Sequence, residues 1–231
     1  MAHITCNVKT ISPLTPTVYE VVLTPESPVE FQAGQYLKVV MSEDDQRPFS
    51  IANAPHQQES LVLHIGATPE NPYAWEVMQK LQSESSVTVE IPDGSAYVRD
   101  SERPILLLAG GTGFSYVHSI LLSVLHHNPD KAVTLYWGVR QVEDLYHIDA
   151  LNALADAHSG FDFRPVIQHP NEQWQGLTGW VHKTVMEQEA DLNQYDVYVA
   201  GRFEMAKVVR DDFSAAGFPA DQLYGDAFSY L

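Results

Sequence analysis

Two glycine turns and one Arg-Pro-Phe-Ser tetrad carry the residue types best suited to chemistry. The first turn, Ala109-Gly110-Gly111-Thr112-Gly113-Phe114-Ser115, follows an apolar run and opens a stretch of helical period. Glycine lets the chain turn tightly and brings backbone N–H groups close to an anion, and a helix N-terminus adds unpaired donors. Gly110, Gly111, Thr112, Gly113 and Ser115 are therefore candidates for a phosphate cradle, with no carboxylate in the loop. The fingerprint G-x-G-x-x-G is only partly met, because Gly111-Thr112-Gly113-Phe114-Ser115-Tyr116 lacks the third glycine. No Lys-Ser/Thr pair follows, so it is not a nucleoside-triphosphate loop. A tight strand–helix turn without a ligand is the other reading. The second turn, Ala200-Gly201-Arg202-Phe203-Glu204-Met205, also sits between a strand and a helix. In an open parallel sheet, ligands gather beyond the carboxyl ends of the strands. Both turns belong at that edge, as does Gly138-Val139-Arg140. Arg140 and Arg202 are placed to meet the phosphates or ribose of an extended dinucleotide, or else are solvated surface residues.

The tetrad is Arg47-Pro48-Phe49-Ser50, preceded by the acidic run Glu43-Asp44-Asp45 and followed by Ile51-Ala52, which return to an apolar strand. A fixed φ, a planar aromatic, a short donor and a rigid cation suit a flat ring with polar edges, though strands that begin at proline are common. His64 alternates with Leu63 and Ile65, so it faces a ligand cleft or is a bland strand histidine. Asp226, near the end of the chain, orients a ligand or is simply exposed. No H-x-x-x-H pair lies on one helix and no G-x-S-x-G elbow exists, so neither a helical metal site nor a serine hydrolase is indicated. Trp137, Trp174 and Trp180 lack the spacing of a nucleic-acid stacking surface.

The elements that must position these residues change character near residue 100. Before it, apolar residues follow a period of two in Ile4–Val8, Val18–Leu23, Tyr36–Met41, Leu61–Ile65 and Val87–Ile91, punctuated by Pro13, Pro16, Pro25, Pro28 and Gly34. That pattern predicts a small antiparallel barrel or sandwich. One helix, Tyr73–Leu81, is expected there, with Pro72 in its first turn. After residue 100, the spacing predicts strands at Pro104–Ala109, Ala132–Trp137, Phe161–Ile167, Val197–Ala200 and Leu223–Tyr224. Helices at Tyr116–His126, Tyr146–Ala157, Val181–Glu189 and Phe203–Ala216 separate them. This alternation predicts a doubly wound α/β domain with a five-stranded parallel sheet. The polar stretch Tyr97–Arg103 marks the boundary, giving domains 1–99 and 100–231, and Gln168–Gly176 reads as a surface loop.

Composition narrows the partners. The 231 residues carry 13 Lys+Arg against 30 Asp+Glu, a formal net charge of −17. Such a surface repels nucleic acid and anionic membrane. Cys6 is the one cysteine, which excludes an intrachain disulfide, a thiolate zinc site and a cysteine-held iron–sulfur cluster. MAHITCNVKT has neither the basic start nor the apolar run of a signal peptide, and Ile105–Gly111 is far too short to span a membrane, so a cytoplasmic protein is expected.

Taken together, the barrel with Arg47-Pro48-Phe49-Ser50, the parallel-sheet domain with Gly110-Gly111-Thr112-Gly113, the late Ala200-Gly201-Arg202-Phe203-Glu204-Met205 and the C-terminal aromatics resemble the ferredoxin–NADP reductase superfamily over essentially the whole chain. Within it, Gly34-Gln35-Tyr36-Leu37 and the two glycine stretches are most similar to bacterial NAD(P)H-flavin reductases. The resemblance implies a six-stranded Greek-key flavin-binding barrel before the dinucleotide domain. It implies hydride transfer from NADH or NADPH to N5 of riboflavin, FMN or FAD, without a metal. It assigns Ser50 to N5, with Arg47, Pro48, Phe49, Ile51 and Ala52 around the flavin. Gly110–Gly113 take the dinucleotide, and Ala200, Gly201 and Met205 lie by the nicotinamide. Phe228 is the stacking aromatic, with Tyr230 its competitor and Asp226 shaping the same pocket.

Two departures matter. Ala200 replaces the superfamily's usual cysteine. The stretch Gly66–Trp75 lacks a clean flavin-phosphate motif and carries Glu70, which would repel phosphate. The first leaves no thiol to assist nicotinamide placement, and the second fits a flavin that exchanges, reaching luciferase (and so luminescence), a monooxygenase or ferric iron as the diffusing reduced form. A monomer preferring NADH and tolerating NADPH is expected. The alternatives are a prosthetic-flavin reductase with a protein electron acceptor, and a non-enzymatic flavin- or nucleotide-binding module.

Overall fold

The computed structural model describes residues 2–231, which divide into two compact units. One comprises the chain up to Val98 together with His118–Ser123, and the other Arg99–Val117 with Val124–Leu231. The second unit thus starts within the polar stretch read as a boundary, but six residues of a later helix cluster with the first.

The antiparallel unit contains β1 (Ala2–Thr15), β2 (Val18–Pro25), β3 (Tyr36–Ser42), β4 (Asp45–Ser50), β5 (Leu61–Gly66), α1 (Pro72–Ser83) and β6 (Ser86–Asp93). Its six strands run in the order β4-β3-β6-β1-β2-β5 with every pairing antiparallel. Period-two alternation sends Leu23, Leu37, Val39, Leu63, Ile65 and Val89 into one core, and Ala74, Val77, Met78 and Leu81 of α1 pack as its amphipathic face. Cys6 lies in that core, fully buried, and burial pushes its thiol up to about 11, so it packs as an apolar residue. The expected barrel is a six-stranded sheet whose end strands, β4 and β5, share no ladder. The expected strand after Ser50 is corrected too. The tetrad closes β4, and Ile51–Ala54 is irregular.

The parallel unit contains β7 (Ile105–Gly110), α2 (Phe114–His127) apart from its His118–Ser123 stretch, β8 (Val133–Val139), α3 (Ile148–Ala157), β9 (Phe161–Ile167), β10 (Leu177–Thr178), α4 (Val181–Gln188), β11 (Asp196–Ala200), α5 (Phe203–Ala215) and β12 (Leu223–Tyr224). The sheet order is β10-β9-β8-β7-β11-β12, all parallel. There are six strands rather than five, because the two-residue β10 adds an edge after the polar loop. β7 and β8 are buried along nearly their whole length, as a sheet covered on both faces requires. From β7 the chain winds outward through β8, β9 and β10, then returns to β11 on the other flank. Strand order therefore reverses between β7 and β11, and a crevice opens at their carboxyl ends. Both glycine turns stand there. No helix of the described residues is long and apolar enough to cross a membrane.

Candidate functional site

In the antiparallel unit the site is built on an end strand. β4 pairs only with β3, so the N–H that Pro48 lacks breaks no ladder bond on the open side. Register places Arg47 opposite Val39 and Phe49 opposite Leu37, both fully buried partners, and Pro48 opposite Lys38 and Ser50 opposite Tyr36. The pleat thus splits the tetrad: Arg47 and Phe49 turn to the core face, Pro48 and Ser50 to the other. Phe49 packs against the core. The Ser50 hydroxyl has no hydrogen-bond partner among the described residues and is half-buried. Beyond it, Ile51 N–H donates to Gln35 O (3.2 Å) and Ala52 N–H to Val62 O (2.7 Å), and both residues are buried.

Arg47 is 8% exposed and its guanidinium is heavily engaged. Nε donates to Asp45 Oδ1 at 2.9 Å, Nη1 to Tyr73 O at 2.6 Å, and Nη2 to Asp45 Oδ2 at 2.6 Å and Glu76 Oε2 at 2.7 Å. The guanidinium also lies 4.9 Å from the Tyr73 ring centroid. The hydrogen bond with Arg47 holds the Asp45 carboxyl below its usual range, and that bond, seconded by Glu76, raises Arg47 itself. Two carboxylates thus face one cation. Lys38 likewise bridges Glu90 (3.1 Å) and Asp93 (2.6 Å), and Lys80 pairs with Glu84 (2.9 Å). Among the described residues of this unit, Lys9 alone is a cation without a carboxylate partner. His64 is buried in β5, its Nε2 4.0 Å from Glu20 and its ring 6.1 Å from that of His118.

In the parallel unit the two glycine turns meet at the crevice. A Cβ on Gly113 would stand 2.5 Å from Ala200 C and 2.7 Å from Gly201 N, so the first turn lies directly on the backbone of the second. A Cβ on Gly201 would stand 2.8 Å from Met205 Sδ, and one on Gly110 would strike the same sulfur. Met205 therefore fills the space that both glycines leave. Gly111 adopts φ +54°, where glycine is favoured, and its carbonyl accepts from Trp137 Nε1 at 2.9 Å. Trp137 is in turn stacked on Phe114 at 4.1 Å. Ser115 is buried and its hydroxyl donates to Thr112 O (3.1 Å), so it braces the turn rather than facing out of it.

Arg140 and Arg202 are exposed at this carboxyl edge, after β8 and β11, and neither guanidinium has a partner among the described residues. The chain's other arginines all engage carboxylates, carbonyls or rings. Trp180, 64% exposed, follows β10 at the same edge. Asp226 opens a 3-10 turn through Tyr230 and is half-buried. Phe228 packs against the core of this unit, whereas Tyr230 is 73% exposed and meets Phe203 edge-on at 6.2 Å.

Sequence reasoning missed the partners of Arg47 and the brace of Trp137. Glu76 lies 29 residues from Arg47 and Trp137 26 from Gly111, with no local pattern joining them.

A family model described as an oxidoreductase NAD-binding domain matches residues 107–211. The NAD(P)H-flavin reductase of Vibrio harveyi is 44% identical over 235 residues, spanning 99% of this chain and 99% of that protein. The NAD(P)H-flavin reductase of Aliivibrio fischeri is also 44% identical, with the same coverage of both chains. Among solved structures, the Amycolatopsis cytochrome P450 reductase GcoB superposes with a TM-score of 0.88 at 24% identity, covering 97% of this chain and 69% of that one. That likeness shows the fold, which is ferredoxin–NADP-reductase-like.

Proposed function

The chain belongs to the NAD(P)H-flavin reductase family, and on that premise we propose that it is an oxidoreductase that moves a hydride from NAD(P)H to N5 of a free flavin and releases the reduced product. The balance is NAD(P)H + H⁺ + flavin → NAD(P)⁺ + reduced flavin. The hydride chemistry belongs to the two ring systems, and the protein supplies binding and orientation. Transfer requires the nicotinamide C4 to come within about 3–3.5 Å of N5. Ser50 donates its unengaged hydroxyl to N5, beside Pro48 on the same face of β4. Ile51 and Ala52 edge the ring. Gly110–Gly113 receive the pyrophosphate, and Gly201 and Met205 border the nicotinamide.

One observation carries the claim that the flavin exchanges: cations are distributed unequally. Near the tetrad, Arg47 is committed to Asp45, Glu76 and the Tyr73 carbonyl, so its charge is cancelled before any ligand arrives. A phosphate there would meet two carboxylates and a guanidinium that has four of its five N–H groups engaged. Riboflavin, which has no phosphate, suits this surface better than FMN or FAD. At the carboxyl edge of the parallel sheet, Arg140 and Arg202 remain unengaged, as the anionic dinucleotide requires. NADH is the preferred donor and NADPH is accepted, with Arg140 as the positive neighbour for a 2′-phosphate. The protein works as a cytoplasmic monomer without a metal, and its reduced flavin diffuses to a luciferase, a monooxygenase or ferric iron.

The test is anaerobic. Substoichiometric protein mixed with NADH and excess riboflavin should bleach the flavin absorbance completely, through many turnovers, and FMN more slowly at equal concentration. Bleaching that stops at one flavin per protein would refute release of the product.

A further inference from the structure

Ile51–Ala54, the segment that leaves β4 directly after Ser50, belongs to no ladder, yet all four residues are buried. A buried irregular segment must find partners for its backbone groups outside regular structure. Most of these partners are local. Ile51 N–H donates to Gln35 O, Ala52 N–H to Val62 O and Ala54 N–H to Gln57 Oε1. The Asn53 side chain donates to Gln57 O (3.2 Å) and Ser60 O (2.9 Å) and accepts from Val62 N–H (2.8 Å). Two carbonyls are held from 66 residues away. Ser119 Oγ, fully buried, donates to Asn53 O at 2.8 Å. His118 Nδ1 lies 2.9 Å from Ala52 O, and because a carbonyl only accepts, this nitrogen carries the proton. Both residues lie in the His118–Ser123 stretch of α2 that clusters with the antiparallel unit.

We propose that Ser119 and His118 are positioning residues for the flavin. By gripping the carbonyls of Asn53 and Ala52 they fix the path of the chain two and three residues beyond Ser50, and with it the aim of the Ser50 hydroxyl and the edge formed by Ile51 and Ala52. The inference rests on the flavin assignment made above. A hydroxyl that only stabilised the fold would be equally at home under any buried carbonyl. These two donors converge on consecutive carbonyls of the one irregular segment that continues from the tetrad.

The experiment reads flavin binding apart from turnover. Riboflavin affinity is measured by quenching of its fluorescence, with melting temperature and steady-state kinetics alongside, in the wild type, Ser119→Ala, His118→Ala and His118→Asn. Asparagine retains an N–H donor near the position of Nδ1. Ser119→Ala and His118→Ala should each weaken riboflavin binding about five- to tenfold, the worth of one buried hydrogen bond, and leave the NADH KM within about twofold. His118→Asn should recover most of the affinity. If Ser119→Ala fails to fold, the His118 pair decides. Riboflavin affinity unchanged in the alanine variants, with only the melting temperature lowered, overturns the proposal, as does a loss shared equally by riboflavin and NADH. A wild type that binds no riboflavin overturns the flavin assignment itself and this inference with it. Wild-type binding with insensitive variants overturns the inference alone.

Discussion

Alanine at Gly113 probes the crevice most sharply. Its Cβ would come 2.5 Å from the Ala200 carbonyl carbon and 2.7 Å from Gly201 N, well inside ordinary contact, and both are backbone atoms that cannot rotate away. The two turns must then separate by roughly 1 Å, and overpacking of this kind costs about 1–3 kcal/mol. We place it near the upper end, a fall of about 5–10 °C in melting temperature for a chain of this size. The separation opens the cradle, so the NADH KM should rise about tenfold or more while riboflavin affinity stays within about twofold. Gly110→Ala offers the contrast. Its Cβ strikes the Met205 sulfur, the far end of a flexible side chain. Its cost should be smaller, about 1 kcal/mol, and part of it should disappear in the Gly110→Ala/Met205→Ala double variant. Thermal melts and NADH kinetics on these three variants and on Met205→Ala, which completes the double-variant cycle, give every quantity. A Gly113→Ala protein with wild-type melting and wild-type NADH KM would refute the packing of one turn upon the other.

Ser50→Ala should leave melting unchanged and lower kcat at least about tenfold, as loss of one donor aimed at the reacting centre does; unaltered turnover would remove Ser50 from its role. Glu76→Gln takes one carboxylate from Arg47, and because Glu76 is about half exposed the gain is modest. The FMN-to-riboflavin ratio of kcat/KM should rise about threefold at low salt and fall back at high salt, and a ratio insensitive to the substitution would refute the charge argument. Arg140→Ala should raise the NADPH KM about three- to tenfold and the NADH KM less, whereas Arg202→Ala should raise both alike; equal effects of Arg140→Ala on the two donors would remove it from the 2′-phosphate.

The sequence spoke most clearly where one physical pattern ran unbroken. Ile105–Gly110 is buried along almost its whole length and reads as a central parallel strand, and the spacing of Val77, Met78 and Leu81 reads as a helix face. It was silent where a strand carried few apolar residues. Asp45-Gln46-Arg47-Pro48 shows neither alternation nor branched side chains, so nothing in it announces β4, while the apolar Ile51-Ala52 reads as strand and is irregular. β10 has two residues, too few for any period to show. The site's residue types were legible, but their orientations were not. Nothing local says that the pleat turns Arg47 away from Ser50, or that Glu76 cancels its charge. The two glycine turns are legible as neighbours on one sheet edge, but their contact through Gly113 and Met205 follows only from the β7–β11 pairing. Likewise, nothing in Tyr116–His126 marks Ser119 and His118 as partners of a segment 66 residues earlier.

The most direct test of the central claim is NADH oxidation by protein freed of small molecules, followed with and without added riboflavin, after recording its visible absorbance. The account predicts a colourless protein that oxidises NADH only when riboflavin is supplied, in proportion to the flavin added until saturation. A yellow protein that passes electrons to an external acceptor with no flavin added would contradict it.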